Sequence, residues 1–219
     1  MDTQLETIEF ETGDEPTASI IWLHGLGADG NDFAPLVDEL DLPIALRYIF
    51  PHAPLMPVSI NGGQVMRAWY DISDAAIRRE DEAGVRASQG LIEELIAREL
   101  SSGIPAKRIV LAGFSQGGAI ALHTGLRHGA ALAGIVALST YVPVADKLAA
   151  EAGAANRATP VFMAHGSGDP MIPLARADAS HTLLQQLGYA VEWHEYPMPH
   201  SVCPQEIADL CLWLARVLG

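Results

Sequence analysis

The chain has 219 residues, of which 49% are hydrophobic and 18% are charged. This composition excludes a disordered or fibrous protein, and the length is sufficient for one α/β domain with a continuous core. The 13 basic and 27 acidic residues give a net charge of −14. Such a charge opposes binding to phosphate backbones and anionic membranes, so we expect no nucleic-acid partner.

The first six residues include acidic side chains and no apolar segment of the kind that a secretory signal needs. No apolar run approaches the roughly 20 residues that a membrane-spanning helix requires. On one helix, Cys203 and Cys211 would lie about 12 Å apart, whereas a disulfide requires less than about 7 Å. These features predict reduced thiols and a cytoplasmic location without stable membrane insertion.

Short apolar segments alternate with amphipathic segments along the chain. An alternating segment at 5–11 is typical of an edge strand, whereas continuous apolar segments are typical of parallel strands buried on both faces. Segments of the second kind lie at 18–23, 45–50, 108–112, 134–138, 160–164 and 191–196. Apolar residues at helical spacing predict helices at 82–100, 116–128, 174–187 and 203–218. The alternation predicts a single domain over 1–219, with helices on both faces of a doubly wound, mostly parallel sheet.

Residues 51–75 fit neither pattern. Pro51, Pro54 and Pro57, followed by the pair Gly62 and Gly63, predict a long irregular excursion from the end of a strand. Excursions of this kind often carry a binding surface. We therefore expect this segment to line the substrate site.

The sequence G-F-S-Q-G at 113–117 matches the G-x-S-x-G motif, and it stands between a predicted strand and a predicted helix. In such an elbow the serine occupies a strained turn, and its neighbours must be small because a Cβ would collide with the adjacent strand or helix. Gly113 and Gly117 meet this requirement, and Gly118 adds room. Ser115 is therefore the predicted nucleophile.

A serine hydroxyl needs a base within hydrogen-bond reach and an acid that orients the base. After an elbow of this type the acid precedes the histidine, and both follow later strands. Asp169 follows the strand at 160–164, and His200 follows the strand at 191–196, so we predict these two as the acid and the base. Capping, packing or solvent exposure explains the aspartates and histidines placed on helices or within strands, namely Asp146, Asp178, His123, His128, His181 and His194.

The negative charge that develops during acyl transfer needs fixed N–H donors. We expect one donor to be the backbone N–H of Gln116, at the start of its helix, and the second to be that of Leu26, in H-G-L-G at 24–27. The overlapping G-L-G-A-D-G at 25–30 also fits the dinucleotide-binding fingerprint. That fingerprint requires an acidic residue about 20 positions further on, but none occurs between Asp41 and Asp71. A nucleotide cofactor is therefore not expected.

Several motifs resemble those of the carboxylesterase and acyl-protein thioesterase (phospholipase/carboxylesterase) family, in its bacterial carboxylesterase branch. They are L-H-G-L-G at 23–27, R-A-W-Y-D at 67–71, G-F-S-Q-G-G at 113–118, H-G-S-G-D at 165–169 and P-H-S at 199–201. The resemblance covers nearly the whole chain in family order. It implies the α/β-hydrolase fold, a triad of Ser115, Asp169 and His200, oxyanion donors at Leu26 and Gln116, and no cofactor. The sequence has no H-E-x-x-H motif or Cys/His cluster, so we expect no metal site either.

The resemblance also implies hydrolysis of carboxylic esters with short or medium acyl chains through an acyl-enzyme. The substrate would be an acyl ester or thioester, and Trp69 and Leu26 would lie near the acyl group in an open groove, because the chain has no room for a large lid. An acyl-protein thioesterase, a lysophospholipase and a non-catalytic binding module of the same fold remain alternatives. Family members often form homodimers, and the sequence leaves this open.

Overall fold

The computed structural model of the protein describes residues 5–73 and 81–219. Most of the strands predicted from apolar runs are present with bounds shifted by one or two residues. The strands are β1 (Thr7–Glu11), β2 (Ala18–Leu23), β3 (Leu46–Pro51), β4 (Leu55–Val58), β5 (Gln64–Arg67), β6 (Ile109–Phe114), β7 (Gly134–Leu138), β8 (Val161–Gly166) and β9 (Val191–Tyr196).

The predicted helices are also present, together with two short ones. The helices are α1 (Leu36–Glu39), α2 (Glu82–Ser101), α3 (Gln116–Gly125), α4 (Ala145–Glu151), α5 (Leu174–Gln186) and α6 (Pro204–Leu218). Helix α1 was not predicted, and α4 was anticipated only by the placement of Asp146 on a helix, because four and seven residues give too few turns for a helical period to show in the sequence. None of the helices within the described ranges is both long and apolar enough to cross a membrane.

Seven strands form one sheet in the order β1-β3-β2-β6-β7-β8-β9. Strand β1 pairs antiparallel with β3, and the remaining pairs are parallel. The prediction of a mostly parallel, doubly wound sheet with 5–11 as an edge strand is thus confirmed. The prediction that 191–196 is buried on both faces is wrong, because β9 is the opposite edge strand and only Tyr196 in it is buried. Because β2, β6, β8 and β9 run in the same direction, the loops that follow them emerge at one edge of the sheet.

Alternate side chains of the central strands enter two different cores, as the period of a strand requires. On β2, Ile20 and Trp22 pack in the core beneath α6, while Ile21 and Leu23 pack in the core beneath α2 and α3. Every residue of β2 is buried. Burial on both faces explains why this strand is continuously apolar rather than alternating.

The prediction that residues 51–75 form a wholly irregular excursion is wrong. Strands β4 and β5 form an antiparallel hairpin, in which Pro57 lies opposite Val65. A two-stranded ribbon tolerates proline because each strand has a free edge. Gly62 and Gly63 form the turn with φ of 66° and 79°, values that favour glycine. The last two residues of the predicted excursion, 74 and 75, lie outside the described residues, as do Met1 to Gln4.

Candidate active site

Ser115 joins β6 to α3 in a conformation that L-residues rarely adopt, with φ of 53° and ψ of −119°. A non-glycine residue in such a region costs about 1–3 kcal/mol. The surroundings hold it there, since Ser115 N donates to Leu138 O at 2.9 Å and Thr140 Oγ1 donates to Ser115 O at 2.6 Å. The strand–turn–helix context predicted for the serine is therefore confirmed.

The glycines around Ser115 are required by close backbone contacts. A Cβ at Gly113 would lie 2.4 Å from the carbonyl carbon of Gly117, and a Cβ at Gly117 would lie 2.3 Å from Leu23 O. Real Cβ atoms essentially never approach backbone atoms so closely. The expectation that these positions must be small is confirmed, because α3 packs directly on β6 and β2.

The structure brings the three predicted reactive side chains into contact at one edge of the sheet. His200 Nε2 lies 2.9 Å from Ser115 Oγ, and His200 Nδ1 lies 2.6 Å from Asp169 Oδ2. In the chain, His200 is 85 positions from Ser115 and 31 positions from Asp169. The ring of Phe114 packs against the imidazole, with 4.7 Å between ring centroids. This arrangement can move a proton from the hydroxyl to the imidazole.

Asp169 is buried but richly hydrogen-bonded. Its Oδ1 accepts from the backbone N–H of Met171 at 2.8 Å and of Ile172 at 2.9 Å, and its Oδ2 faces His200. Burial by itself would raise the pKa of Asp169, but the bonds from Ile172, His200 and Met171 outweigh it and leave this pKa below its usual value. An ionised Asp169 favours a proton on His200 Nδ1, so that the Nε2 lone pair faces Ser115.

The two predicted oxyanion donors occupy adjacent segments, Leu26 in the loop after β2 and Gln116 at the first residue of α3. Strand β2 pairs with β6 so that Leu23 is opposite Gly113, and therefore the loop after β2 lies beside Ser115. A Cβ at Gly25 would lie 3.5 Å from Ser115 Cβ. Neither Leu26 N–H nor Gln116 N–H donates to a group in residues 5–73 or 81–219. Both N–H groups are thus available to an oxygen placed at Ser115.

Trp69 lies beneath this site rather than on an open wall. Only 2% of the residue is exposed, and its indole N–H donates to His24 O at 2.9 Å. It offers almost no surface to a ligand, which disfavours the predicted groove-lining role, although that role remains a prediction. Sequence reasoning missed both this burial and the contact with His24.

Exposed apolar side chains instead come from the β4–β5 hairpin and from the loop after β8. Leu55, Val65 and Met171 are 63%, 62% and 71% exposed. The hairpin adjoins the β2 loop, since a Cβ at Gly27 would lie 3.6 Å from Met66 Sδ.

The histidines that the sequence analysis set aside have other contacts. His123 bonds Gln89, His128 bonds Glu93, and His181 stacks on Trp193. Across the described part of the chain, no group of three or more His, Cys, Asp or Glu side chains converges in a way that could hold a metal ion.

Fold and site together define a serine hydrolase with the α/β-hydrolase fold. The phospholipase/carboxylesterase family model matches residues 6–218, and the chain belongs to this family. Family membership sets aside the non-catalytic binding module.

Similar proteins of known name fit this assignment. Acyl-protein thioesterase 1 of Neurospora crassa is 42% identical over 206 residues, covering 87% of this chain and 83% of the relative. Acyl-protein thioesterase 1 of Gibberella zeae is 39% identical over 230 residues, covering 98% and 97%. The crystal structure of Zea mays acyl-protein thioesterase 2 superposes with a TM-score of 0.85 at 29% identity, covering 98% and 99%. These relatives do not single out the bacterial carboxylesterase branch that the sequence analysis favoured.

Proposed function

We propose that this serine hydrolase is a thioesterase that removes acyl groups from protein thiols, and that the same site cleaves carboxylic esters with short or medium acyl chains. The contact chain from Ser115 through His200 to Asp169 carries the proposal. It supplies a nucleophile, a base and an orienting carboxylate, which both substrate types require.

In the proposed mechanism, Ser115 Oγ attacks the acyl carbonyl while His200 Nε2 takes the hydroxyl proton. The carbonyl oxygen becomes an oxyanion that accepts from the N–H groups of Leu26 and Gln116. Collapse of this intermediate breaks the bond to sulfur or oxygen, and His200 protonates the leaving thiol or alcohol. Water then attacks the acyl-enzyme with the same assistance, releasing a carboxylic acid and restoring Ser115.

Two observations support an acylated protein thiol over a small soluble ester as the main substrate. The fungal relatives are named acyl-protein thioesterases, and two apolar side chains lie beside the site. Met66 Sδ would lie 3.6 Å from a Cβ at Gly27, and Met171, whose backbone N–H donates to Asp169, is 71% exposed. An apolar border favours binding of a hydrocarbon chain. A thiolate also leaves more readily than an alkoxide, so a site able to cleave esters can cleave thioesters.

Replacing the nucleophile tests the proposal directly. Ser115→Ala is expected to lower turnover of both substrate types by more than about 10⁴-fold, because loss of the nucleophile removes the acyl-enzyme route. Circular dichroism should show an unchanged fold. Turnover within tenfold of the unmodified enzyme would contradict the assignment of Ser115.

Matched substrates test the thioesterase part separately. The same octanoyl group is presented as an ethyl ester, as an ethyl thioester and on the cysteine of a peptide. The expected order of kcat/KM places the acylated peptide first and the ester last. If the ester is hydrolysed tenfold faster than both thioesters, the protein is a carboxylesterase, as the sequence analysis favoured.

We further propose that residues 1–219 form a single domain with a cytoplasmic location. The free thiols of Cys203 and Cys211 support that location. The lysophospholipase alternative and the homodimer remain predictions.

A further inference from the structure

Residues 67–70, here called the strap, connect the two segments that carry the proposed oxyanion donors. The strap begins at the last residue of β5 and contacts Gln116, the residue after Ser115. It is buried from Ala68 to Tyr70, and its hydrogen bonds reach segments more than 40 positions away in both directions. None of these hydrogen bonds involves a triad side chain, and proton transfer from Ser115 to His200 does not require them.

The strap holds the β2 loop on both sides of Leu26. The indole N–H of Trp69 donates to His24 O at 2.9 Å, and Gly27 N donates to Arg67 O at 2.9 Å. Leu26 lies between these two anchored residues. The direction of its N–H is therefore fixed by bonds to the strap.

The strap also holds Gln116 through its side chain. Gln116 Oε1 accepts from Trp69 N at 2.8 Å, and Gln116 Nε2 donates to Tyr70 O at 2.8 Å. The side chain is buried, with only 2% of the residue exposed. Both ends of the amide are thus held by backbone groups of the strap, and burial keeps the side chain from turning toward a substrate.

Further bonds attach the strap and the β2 loop to the body of the protein. Ser88 Oγ, on α2, donates to Trp69 O. The His24 ring bonds Gly25 O through Nδ1 at 2.7 Å and accepts from Ala53 N at 3.0 Å through Nε2. Burial lowers the pKa of His24, which keeps the ring in the neutral form that this pair of bonds requires.

We propose that Trp69 and the side chain of Gln116 are positioning residues that set the separation and direction of the two oxyanion donors. The proposal rests on the proposed function. Donors act only if they lie about 2.7–3.1 Å from the oxyanion, so a strap shifted by a fraction of an ångström weakens binding of the transition state more than binding of the substrate. Trp69 acts through His24 and Gln116 and contacts no reacting atom.

Trp69→Phe removes the indole N–H and keeps an aromatic ring. We expect kcat to fall about 10- to 100-fold with KM changed less than about threefold, because displacement of oxyanion donors reduces transition-state binding. Gln116→Met removes both hydrogen bonds of the side-chain amide while keeping a side chain of similar length. We expect kcat to fall about 100-fold.

Trp22→Phe is the matched control. Trp22 is 1% exposed on β2, and among the described residues its indole N–H has no hydrogen-bond partner. This substitution deletes the same atoms from a core but breaks no bond to the β2 loop. It should reduce stability as Trp69→Phe does, and kcat should remain within about threefold of the unmodified enzyme.

An alkyl boronic acid provides a second readout, because its tetrahedral adduct with serine places an oxygen where the oxyanion would be. The inhibition constant should rise for Trp69→Phe and Gln116→Met in proportion to their loss of kcat/KM, and it should not rise for Trp22→Phe. The double variant Trp69→Phe/Gln116→Met should lose less than the product of the single losses, since both act through one strap.

Equal kcat losses in Trp69→Phe and Trp22→Phe, with unchanged boronate binding, would overturn the positioning role while leaving the proposed function intact. Retained activity of Ser115→Ala would overturn the proposed function instead. If Trp69→Phe does not fold, Gln116→Met and its boronate affinity decide the question alone. Unchanged kcat and boronate affinity in that variant would refute the proposal.

Discussion

Two buried carboxyl groups flank the loop that carries His200, and their surroundings differ sharply. Asp169, after β8, is 8% exposed and its oxygens accept from two backbone N–H groups and face His200. Glu206, in the first turn of α6, is 0% exposed, and within the described residues its oxygens make no hydrogen bond of good geometry; a weak contact with the backbone N–H of Cys203 offsets only a small part of the cost of burial. The pKa of Asp169 is lowered, whereas burial raises the pKa of Glu206 to about 8. The comparison teaches that hydrogen bonds keep the less deeply buried Asp169 charged, whereas deep burial with little compensation keeps Glu206 protonated.

The two groups make stability depend on pH in opposite directions. Asp169 has a lowered folded-state pKa, so its contribution is present above its unfolded pKa and is lost as the pH falls. Glu206 has a folded pKa raised from 4.5 to about 8, so the folded state holds an extra proton between these values. Its contribution is complete below pH 4.5 and is lost as the pH rises through 8.

The largest effect on catalysis is expected when Asp169 loses its charge. Asp169→Asn should lower kcat by about 10⁴-fold, because an amide no longer favours the proton on His200 Nδ1. Steady-state kinetics with the octanoyl thioester measure the loss, and thermal unfolding confirms a folded variant. A loss below tenfold would show that Asp169 does not orient His200.

An intermediate effect is expected at Glu206. Glu206→Gln should gain stability relative to the unmodified protein by about 1–3 kcal/mol between pH 5 and pH 8, because the variant has no proton to release. Urea unfolding at several pH values measures the difference. Glu94→Gln, at an exposed position on α2, is the control and should leave the pH dependence unchanged. A Glu206→Gln curve parallel to that of the unmodified protein would mean that Glu206 is already charged.

The smallest effect is expected at the hydrogen bond between Tyr196 and Asp209, whose carboxylate is only partly buried. Tyr196 Oη donates to Asp209 Oδ2 at 2.8 Å, and the Asp209 side chain is 31% exposed. Tyr196→Phe should cost about 0.5–1.5 kcal/mol of unfolding free energy, the usual value of one hydrogen bond, because water can replace the lost donor. Urea unfolding at pH 7 measures this loss of unfolding free energy. A cost above about 3 kcal/mol would place Asp209 with the buried acids.

The sequence was informative where one local pattern determines one structural outcome. Continuous apolar runs predicted the parallel strands, since both faces of the sheet are covered. Gly113 and Gly117 predicted a backbone too crowded for a Cβ, and the structure bears this out at 2.4 Å and 2.3 Å. The chain order of Ser115, Asp169 and His200 was sufficient to predict their meeting, because parallel strands direct their following loops to the same edge.

Contacts that join a side chain to a distant backbone group could not be predicted in this way. The bonds of Trp69 to His24 and Gln116 span 45 and 47 positions and leave no period in the sequence. Glu206 was equally hidden, because an acidic residue in the first turn of a helix normally complements the helix dipole in solvent. Its isolation depends on how α6 packs against the sheet, which is a property of the assembled fold.

The turn of the β4–β5 hairpin is uncrowded at Gly62 and Gly63. A Cβ at Gly62 or Gly63 would meet no atom within 4 Å, and open turns of this kind accept insertions readily. A longer tip or an attached fluorophore can therefore be grafted there while residues 67–70 stay in place. The hairpin tip is in this sense open to engineering without changing the residues that we propose to position the oxyanion donors.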